Sequence, residues 1–119
     1  MAWEVEFTNE FKTWWEDLSE SQQRSITAGV GLLEEQGPTL DYPYTSAINS
    51  SRHGNMRELR IQSRGRPLRV FYAFDPRRTA ILLIGGDKTG DNRFYTTLVN
   101  RADDLYDEHI DELRLEGLL

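Results

Sequence analysis

The sequence predicts an α+β fold, with an N-terminal strand and helical hairpin, an antiparallel β-meander and a C-terminal helix. Apolar residues recur at helical spacing before residue 37, and strand-like segments follow one another between residues 56 and 85. A long amphipathic stripe then ends the chain. Because the helical and strand-like segments are segregated along the chain, the pattern favours α+β over a repeating βαβ fold.

The first segment predicts a short strand followed by a helix. Residues 3–7 alternate between apolar and polar side chains, as in a half-buried strand. A helix over residues 9–18 follows, with Thr8 or Asn9 as its cap. Its apolar face is formed by Phe7, Phe11, Trp14, Trp15 and Leu18. We assign the tryptophans to the core rather than to a ligand site.

A second helix begins at a capping box, in which Ser19 is the cap and Gln22 stands three residues later. Gly37 and Pro38 end it, because glycine is typical of the position after a helix and proline cannot continue one. Residues 38–55 are rich in turn-forming side chains and predict a long irregular connection.

Three strands of a β-meander are predicted over residues 56–62, 67–75 and 79–85. In the first strand, Glu58 and Arg60 share one face, because alternate residues point to the same side. In the second, Arg69 shares a face with the apolar Phe71, where a charge is unexpected unless that face lines a groove. The third strand is almost continuously apolar, which is typical of an interior strand.

The last part of the chain predicts a loop and a helix. Residues 85–92 form a polar, glycine-rich loop, and Asp91 or Asn92 is expected to cap the helix. We interpret the acidic residues between 103 and 112 as a solvated face that can contribute to partner binding, and His109 as a surface residue. The apolar stripe consists of Tyr95, Val99, Ala102, Tyr106, Ile110 and Leu113.

Length and composition bound the class of protein. The 119 residues are expected to form a single domain spanning residues 1–119. The absence of cysteine excludes disulfides and thiolate ligands. The longest apolar run, residues 80–84, is too short to cross a bilayer, and the N-terminus does not look like a signal peptide. We therefore expect a soluble cytoplasmic protein without a membrane partner, a cofactor or a histidine-based metal site.

The charge distribution is asymmetric. The whole chain has a formal charge of −6, which argues against general affinity for nucleic acid. Residues 52–78, however, contain eight arginines against two acids, Glu58 and Asp75, so this segment carries +6. Arginine suits bidentate phosphate contacts and stacking on bases. The segment therefore predicts a local polyanion site, with an ordinary solvated hairpin as the alternative.

The order of short motifs in the meander is similar to that of a toxin family. Residues 56–61 read MRELRI, residues 69–73 read RVFYA, and residues 81–86 read ILLIGG, followed by Lys88 and Thr89. With the helices around it, over residues 3–113, this set resembles the RelE/ParE toxin superfamily, most closely its HigB, or phage Gp49-like, branch. The resemblance implies the toxin of a type II toxin–antitoxin system, neutralised by a small helix-turn-helix antitoxin.

In that superfamily, many members cut translated mRNA in the ribosomal A site, whereas ParE-like members inhibit DNA gyrase. Metal-independent RNA cleavage uses attack of a 2′-hydroxyl on the adjacent phosphate and leaves a 2′,3′-cyclic phosphate. It needs cations for the phosphate oxygens, a base for the 2′-hydroxyl and an acid for the leaving oxygen.

We predict that this chemistry rests on Arg69, Lys88, Tyr95, Arg60 and His53. The resemblance places Arg69 and Lys88 at phosphate-binding positions and Tyr95 near the reacting phosphate, although Tyr95 also fits the core. Arg60 is expected to flank the same groove or to form a cross-strand ion pair. His53 is a candidate acid–base group, or else a loop histidine without a role.

Four further arginines are predicted to bind RNA phosphates: Arg57, Arg64, Arg66 and Arg93. Three functions stay open at this point. The first is a ribosome-dependent mRNA endoribonuclease that inhibits translation, with the antitoxin, the ribosome and mRNA as partners. The second is a ParE-like, non-nucleolytic gyrase inhibitor. The third is a catalytically inactive binding or regulatory protein of the same fold. The presence of Lys88 and Tyr95 favours the first.

Overall fold

The computed structural model describes residues 2–119 as one five-stranded sheet between two helical layers. The strand order is β1-β5-β4-β3-β2, in which β1 runs parallel to β5 and the other neighbours are antiparallel. The elements are β1 (Val5–Phe7), α1 (Asn9–Glu16), α2 (Glu20–Gln36), a 3₁₀ turn (Gly37–Thr39), β2 (Thr45–Ala47), β3 (Arg57–Ser63), β4 (Arg66–Phe74), β5 (Ala80–Asp87) and α3 (Phe94–Leu115).

The hairpin of α1 and α2 covers one face of the sheet. Thr8 caps α1, because its hydroxyl accepts the Phe11 N–H at 3.0 Å. The predicted capping box of α2 is confirmed: the Gln22 N–H donates to Ser19 Oγ, and the Ser19 N–H donates to Gln22 Oε1, both at 3.1 Å. The buried core on this side includes Phe11, Ile26, Leu33, Leu59, Ile61, Leu68, Val70, Tyr72 and Leu82.

Helix α3 covers the opposite face. Its apolar side, with Phe94, Val99, Ala102, Leu105 and Tyr106, packs against Phe71, Ala73, Ile81 and Leu83 of the sheet. Because strand residues alternate between faces, Arg69 shares this side with Phe71 and faces α3. The predicted grouping of Arg69 with an apolar face is thus confirmed.

Two glycines of β5 allow α1 and α3 to approach opposite faces of the sheet closely. A Cβ at Gly85 would lie 2.2 Å from the Trp14 ring, and one at Gly86 would lie 2.7 Å from Leu98 of α3. Gly86 is also the register partner of Arg69. The prediction that these glycines belong to the loop before α3 is wrong, because both lie within β5.

Two further predictions need correction. The connection over residues 38–55 contains β2, which pairs with β3 and places Ser46 opposite Glu58. Helix α3 begins at Phe94, and Arg93 occupies its cap position without a side-chain hydrogen bond. Asp91, one of the two predicted caps, accepts the Arg93 N–H at 3.0 Å and so closes the turn before the helix instead of capping it.

The acidic side of α3 is more than a solvated face. Asp103 is 2% exposed and accepts hydrogen bonds from the Ser51 hydroxyl and the Arg52 N–H, which fastens the preceding loop to the helix. His109 lies 2.9 Å from the buried Asp75, so its predicted surface position is wrong. Within residues 2–119, no helix combines the length and the apolar character that crossing a bilayer requires.

Candidate functional site

A buried ion pair between Glu58 of β3 and Arg69 of β4 forms the centre of the candidate site. These residues are 5% and 4% exposed, and Arg69 Nε lies 3.4 Å from Glu58 Oε1. This contact lacks hydrogen-bond geometry, so Arg69 Nε has no hydrogen-bond partner among residues 2–119. The guanidinium donates through Nη1 to the Leu68 carbonyl at 3.0 Å. Arg69 therefore keeps an unused donor beside the carboxylate.

Two hydroxyl groups hold the Glu58 carboxylate. The Tyr95 hydroxyl donates to Oε1 and the Ser46 hydroxyl donates to Oε2, each at 2.7 Å. Tyr95 comes from the first turn of α3 and Ser46 from β2. Burial raises the pKa of the Tyr95 hydroxyl, and the neighbouring carboxylate raises it further. The tyrosine is therefore a protonated hydrogen-bond donor at neutral pH, and the carboxylate is fixed at both oxygens.

Two more cations flank this centre. Arg60 is the register partner of Arg69, and its Nη1 lies 3.6 Å from Glu58 Oε2. Lys88 directly follows the last residue of β5, and its Nζ lies 5.4 Å from the centroid of the Tyr95 ring. The ring thus lies between a carboxylate at its hydroxyl and an ammonium group over its face.

This arrangement contains the groups that cleavage of a phosphate ester needs. The carboxylate can accept a proton, the tyrosine hydroxyl can donate one, and the three cations can stabilise charge on phosphate oxygens. Within residues 2–119, no group of three or more His, Cys, Asp or Glu side chains is placed to hold a metal ion.

A family model described as phage-derived protein Gp49-like (DUF891) matches residues 13–107. The chain belongs to this Gp49-like family. It is 43% identical over 91 residues to the Mycobacterium tuberculosis protein named "Putative toxin HigB3", a match that covers 76% of this chain and 78% of the relative. It is 38% identical over 99 residues to "Putative toxin HigB2" of the same organism, with 82% and 49% covered. The Gp49-like chain thus matches about half the length of HigB2.

The Gp49-like protein has the fold of RelE. It is similar to the free Escherichia coli toxin RelE, with a TM-score of 0.59 and 11% identity over 95% of this chain and 99% of RelE. It is also similar to RelE in the archaeal RelE–RelB complex from Pyrococcus horikoshii, with a TM-score of 0.56 and 14% identity over 76% and 99% of the two chains. The predicted family resemblance and the α+β fold class are confirmed.

Four of the five predicted catalytic residues come together in the Gp49-like protein: Arg60, Arg69 and Tyr95 lie around Glu58, and Lys88 lies over the Tyr95 ring. The structure sets His53 apart. Its Nε2 lies 2.9 Å from Asp107 without hydrogen-bond geometry, and its ring packs against Tyr106 with centroids 4.9 Å apart. These partners lie roughly 17 Å beyond Tyr95 along α3, at 1.5 Å per residue. His53 thus joins the loop that α3 holds in place.

The four predicted phosphate-binding arginines do not form one surface. Arg57 shares a face of β3 with Leu59 and Ile61, which pack on the α2 side of the sheet, opposite to the side of Glu58. Arg66 forms an ion pair with Asp87 at 3.0 Å, and Arg64 is exposed in the turn between β3 and β4. Arg93 is exposed at the cap of α3, two residues before Tyr95. Of these four, Arg93 is placed best to extend the candidate site.

Ion pairs also divide the basic segment of residues 52–78. Arg52 lies 2.9 Å from Asp104, and Arg77 lies 2.8 Å from Glu6. Both acids lie outside the segment. The local excess of +6 in the sequence is therefore not one continuous basic surface, because the fold brings acidic residues from distant elements to several of these arginines.

Sequence reasoning missed Glu58 and Ser46. The available signal for Glu58 was its shared face with Arg60, one strand away from Arg69. An acid beside three basic candidates was counted there as a balancing charge rather than as a functional group. Ser46 carried no comparable signal, because it lies in the three-residue strand β2, which the sequence did not predict.

Proposed function

We infer that this protein is the toxin of a type II toxin–antitoxin system and that it cleaves mRNA as an endoribonuclease. The buried Glu58–Arg69 pair, held by Tyr95 and flanked by Arg60 and Lys88, carries the proposal. Similarity to proteins named as HigB toxins supports the toxin role. The protein would act in the cytoplasm, where cleavage of mRNA inhibits translation.

In the proposed reaction, the Glu58 carboxylate accepts the proton of a ribose 2′-hydroxyl. The 2′-oxygen attacks the adjacent phosphorus, so a 2′-O–P bond forms and the P–O5′ bond breaks. The Tyr95 hydroxyl donates its proton to the leaving 5′-oxygen. The products are a 2′,3′-cyclic phosphate and a 5′-hydroxyl, and the proton on Glu58 then returns to Tyr95 directly through their 2.7 Å hydrogen bond.

The cations would act on the phosphate itself. Arg69 has an unused donor at Nε and presents a planar fork, which suits a phosphate with two oxygens free to accept. A phosphate that competes for Arg69 would also loosen the contact of the guanidinium with Glu58 and leave the carboxylate free to act as a base. Arg60 and Lys88 would stabilise the charge that develops in the transition state.

The closed geometry favours a substrate that is presented in a fixed orientation. Glu58 and Arg69 are almost fully buried in the free protein, so a flexible free RNA would have to displace Tyr95 and order itself in one event. An mRNA held by the ribosome is already ordered. We therefore propose that cleavage depends on the ribosome and needs no metal ion.

The proposed protein partner is a small helix-turn-helix antitoxin. The support is the family resemblance and the archaeal complex, in which a RelE toxin is bound to RelB. The single domain expected over residues 1–119 would carry both the catalytic site and the antitoxin interface.

The test is 5′-end mapping of cellular mRNA after brief induced expression. The wild type is expected to produce new 5′ ends inside translated frames. Glu58→Gln keeps the size of the side chain but removes the base, so it should reduce cleavage by about 10²–10⁴-fold even in the fraction of the protein that urea unfolding shows to be folded. Arg24→Ala is the matched control, because Arg24 is an exposed arginine of α2 on the other side of the sheet.

Other outcomes point to other functions. New ends that persist in Glu58→Gln would exclude the proposed base. Growth arrest with DNA damage and without new ends would favour a gyrase inhibitor, and neither effect would leave a binding protein. Purified protein with and without ribosomes, each with EDTA, tests the dependence on ribosomes and metals. Detection of a 2′,3′-cyclic phosphate tests the route of cleavage.

A further inference from the structure

Two exposed tyrosines stand beside the candidate site. Tyr42 and Tyr44 are 68% and 51% exposed, whereas Tyr72 and Tyr106 are buried and Tyr95 is part of the site. The chain has five tyrosines, so the two that stand open to solvent both belong to one turn. Exposed large apolar side chains that are grouped, rather than scattered singly over the surface, mark candidate interaction sites.

The turn is connected to the candidate site through Arg60. The Arg60 N–H donates to the Tyr44 carbonyl at 2.8 Å, and the Arg60 guanidinium lies over the Tyr42 ring, 5.2 Å from its centroid. The same guanidinium lies 3.6 Å from the Glu58 carboxylate. Arg60 therefore connects the buried centre to the Tyr42 ring through its side chain, and to the backbone of Tyr44 through its own backbone.

Hydrogen bonds to Asp41 fix the backbone of the turn that carries the two tyrosines. Asp41 accepts the Tyr42 N–H through its carboxylate at 2.8 Å and the Tyr44 N–H through its carbonyl at 3.0 Å. The chain then enters β2, where the Thr45 hydroxyl is buried against the Glu58 carbonyl at 2.9 Å. The one carboxylate next to Tyr42 in sequence is thus engaged within its own turn.

We propose that Tyr42, Tyr44 and Arg60 form a nucleobase subsite for single-stranded RNA. It holds the base of a nucleotide next to the phosphate that Glu58 and Arg69 act on, so this inference rests on the proposed function. Unpaired RNA bases stack on aromatic side chains and on arginine, and stacking accepts any base because every base has a π-face. The free face of the Tyr42 ring and the cation beside it offer both kinds of contact.

A protein partner fits this turn less well. Protein helices dock on apolar grooves, whereas these rings are flanked by Arg60 and Asp41. An apolar depression that would suit a protein lies elsewhere, beside α1 and α2, and is lined by Phe7, Trp15 and Val30. The charge and the continuity with the phosphate-binding cations favour RNA.

Binding is tested first with a fluorescein-labelled RNA tetranucleotide that carries 2′-O-methyl groups and cannot be cleaved. Tyr42→Ala and Tyr44→Ala are each expected to weaken binding by about 5- to 150-fold, whereas Tyr42→Phe and Tyr44→Phe stay within about twofold of the wild type. Phe7→Ala is the matched control, because Phe7 is also a large exposed aromatic, at 57%, but lies on β1 at the far edge of the sheet. Unfolding midpoints of the tyrosine variants should stay close to that of the wild type, because both rings are exposed.

The second readout is 5′-end mapping in cells with the same variants. The alanine variants should lose cuts, and the remaining cuts should be distributed differently among codons. If the wild type cuts and the alanine variants cut the same sites equally often, the subsite is excluded while the nuclease stands. If the wild type neither cuts nor binds RNA, the nuclease itself fails. Normal cutting combined with loss of neutralisation by the antitoxin would assign the tyrosines to a protein interface and overturn the inference.

Discussion

Replacing Glu58 is predicted to lower the free energy of unfolding more than replacing Arg69, its partner in the buried ion pair. Glu58→Gln leaves Arg69 buried at 4% exposure, with the Leu68 carbonyl as its remaining hydrogen-bond acceptor among residues 2–119. An uncompensated buried charge costs about 3–5 kcal/mol in the free energy of unfolding. Arg69→Met instead leaves Glu58 with two hydroxyl donors and the nearby guanidinium of Arg60. We expect this variant to lose about 1–3 kcal/mol.

Urea unfolding, followed by tryptophan fluorescence, measures both losses. The chain has three tryptophans as probes. With an m-value of about 2 kcal/mol/M, Glu58→Gln should lower the midpoint by about 1.5–2.5 M and Arg69→Met by about 0.5–1.5 M. The double variant should recover about 2 kcal/mol relative to Glu58→Gln alone, because neither charge is then left unpaired.

The opposite order of stability losses would contradict the contacts that hold Glu58 in the site. If Arg69→Met costs as much as Glu58→Gln or more, then Tyr95 and Ser46 do not hold the carboxylate as the structure shows. Additive losses in the double variant would show that the two charges do not interact. Arg24→Ala again serves as a control and should change the stability by no more than about 0.5 kcal/mol.

Two further predictions concern packing and pH. Gly85→Ala should lower the free energy of unfolding by about 1–3 kcal/mol, because its Cβ would meet the Trp14 ring at 2.2 Å. Gly54→Ala is the control, because a Cβ there has open space around it, and equal losses in urea unfolding would refute the close approach at Gly85. Burial raises the pKa of Asp75, but hydrogen bonds led by that from Arg77 outweigh it and hold the pKa below its ordinary value. Asp75 therefore stabilises the fold above about pH 4 and loses this effect as the pH falls through the lowered pKa. Asp75→Asn should make the acid limb of the unfolding midpoint shallower between about pH 5 and 2, and an unchanged limb would contradict this assignment.

The regular elements were predictable because their patterns are strong. The helices carry apolar stripes and, for α2, a capping box, and the strands of the meander have a clear period of two. Strand β2 was not predictable, since its three residues have no pattern of their own. It is held by tertiary contacts, such as the Thr45 hydroxyl within 2.8 Å of the Tyr72 hydroxyl.

The candidate site also has a part that the sequence predicted and a part that it did not. Arg69, Lys88 and Tyr95 followed from the resemblance of short motifs to a known family, and the structure brings Arg69 and Tyr95 to Glu58 and Lys88 to the Tyr95 ring. The part played by Glu58 depends on the register that pairs Arg60 with Arg69 and on the close approach of α3 over Gly86. Register and helix approach arise from the assembled sheet, so local sequence patterns do not contain them.

Strand β1, near the start of the chain, cannot pair until β5, which is synthesised much later, is available as its parallel partner. Val5 pairs with Ala80, and the Thr8 N–H donates to the Leu82 carbonyl at 3.0 Å. At 5–20 residues per second, synthesis needs roughly 4–16 s to reach this partner, and until then the hairpin of α1 and α2 has no complete sheet to cover its apolar face. Closure over such a sequence distance also slows folding. The nascent N-terminal half is therefore the part of this protein most exposed to chaperones and proteases.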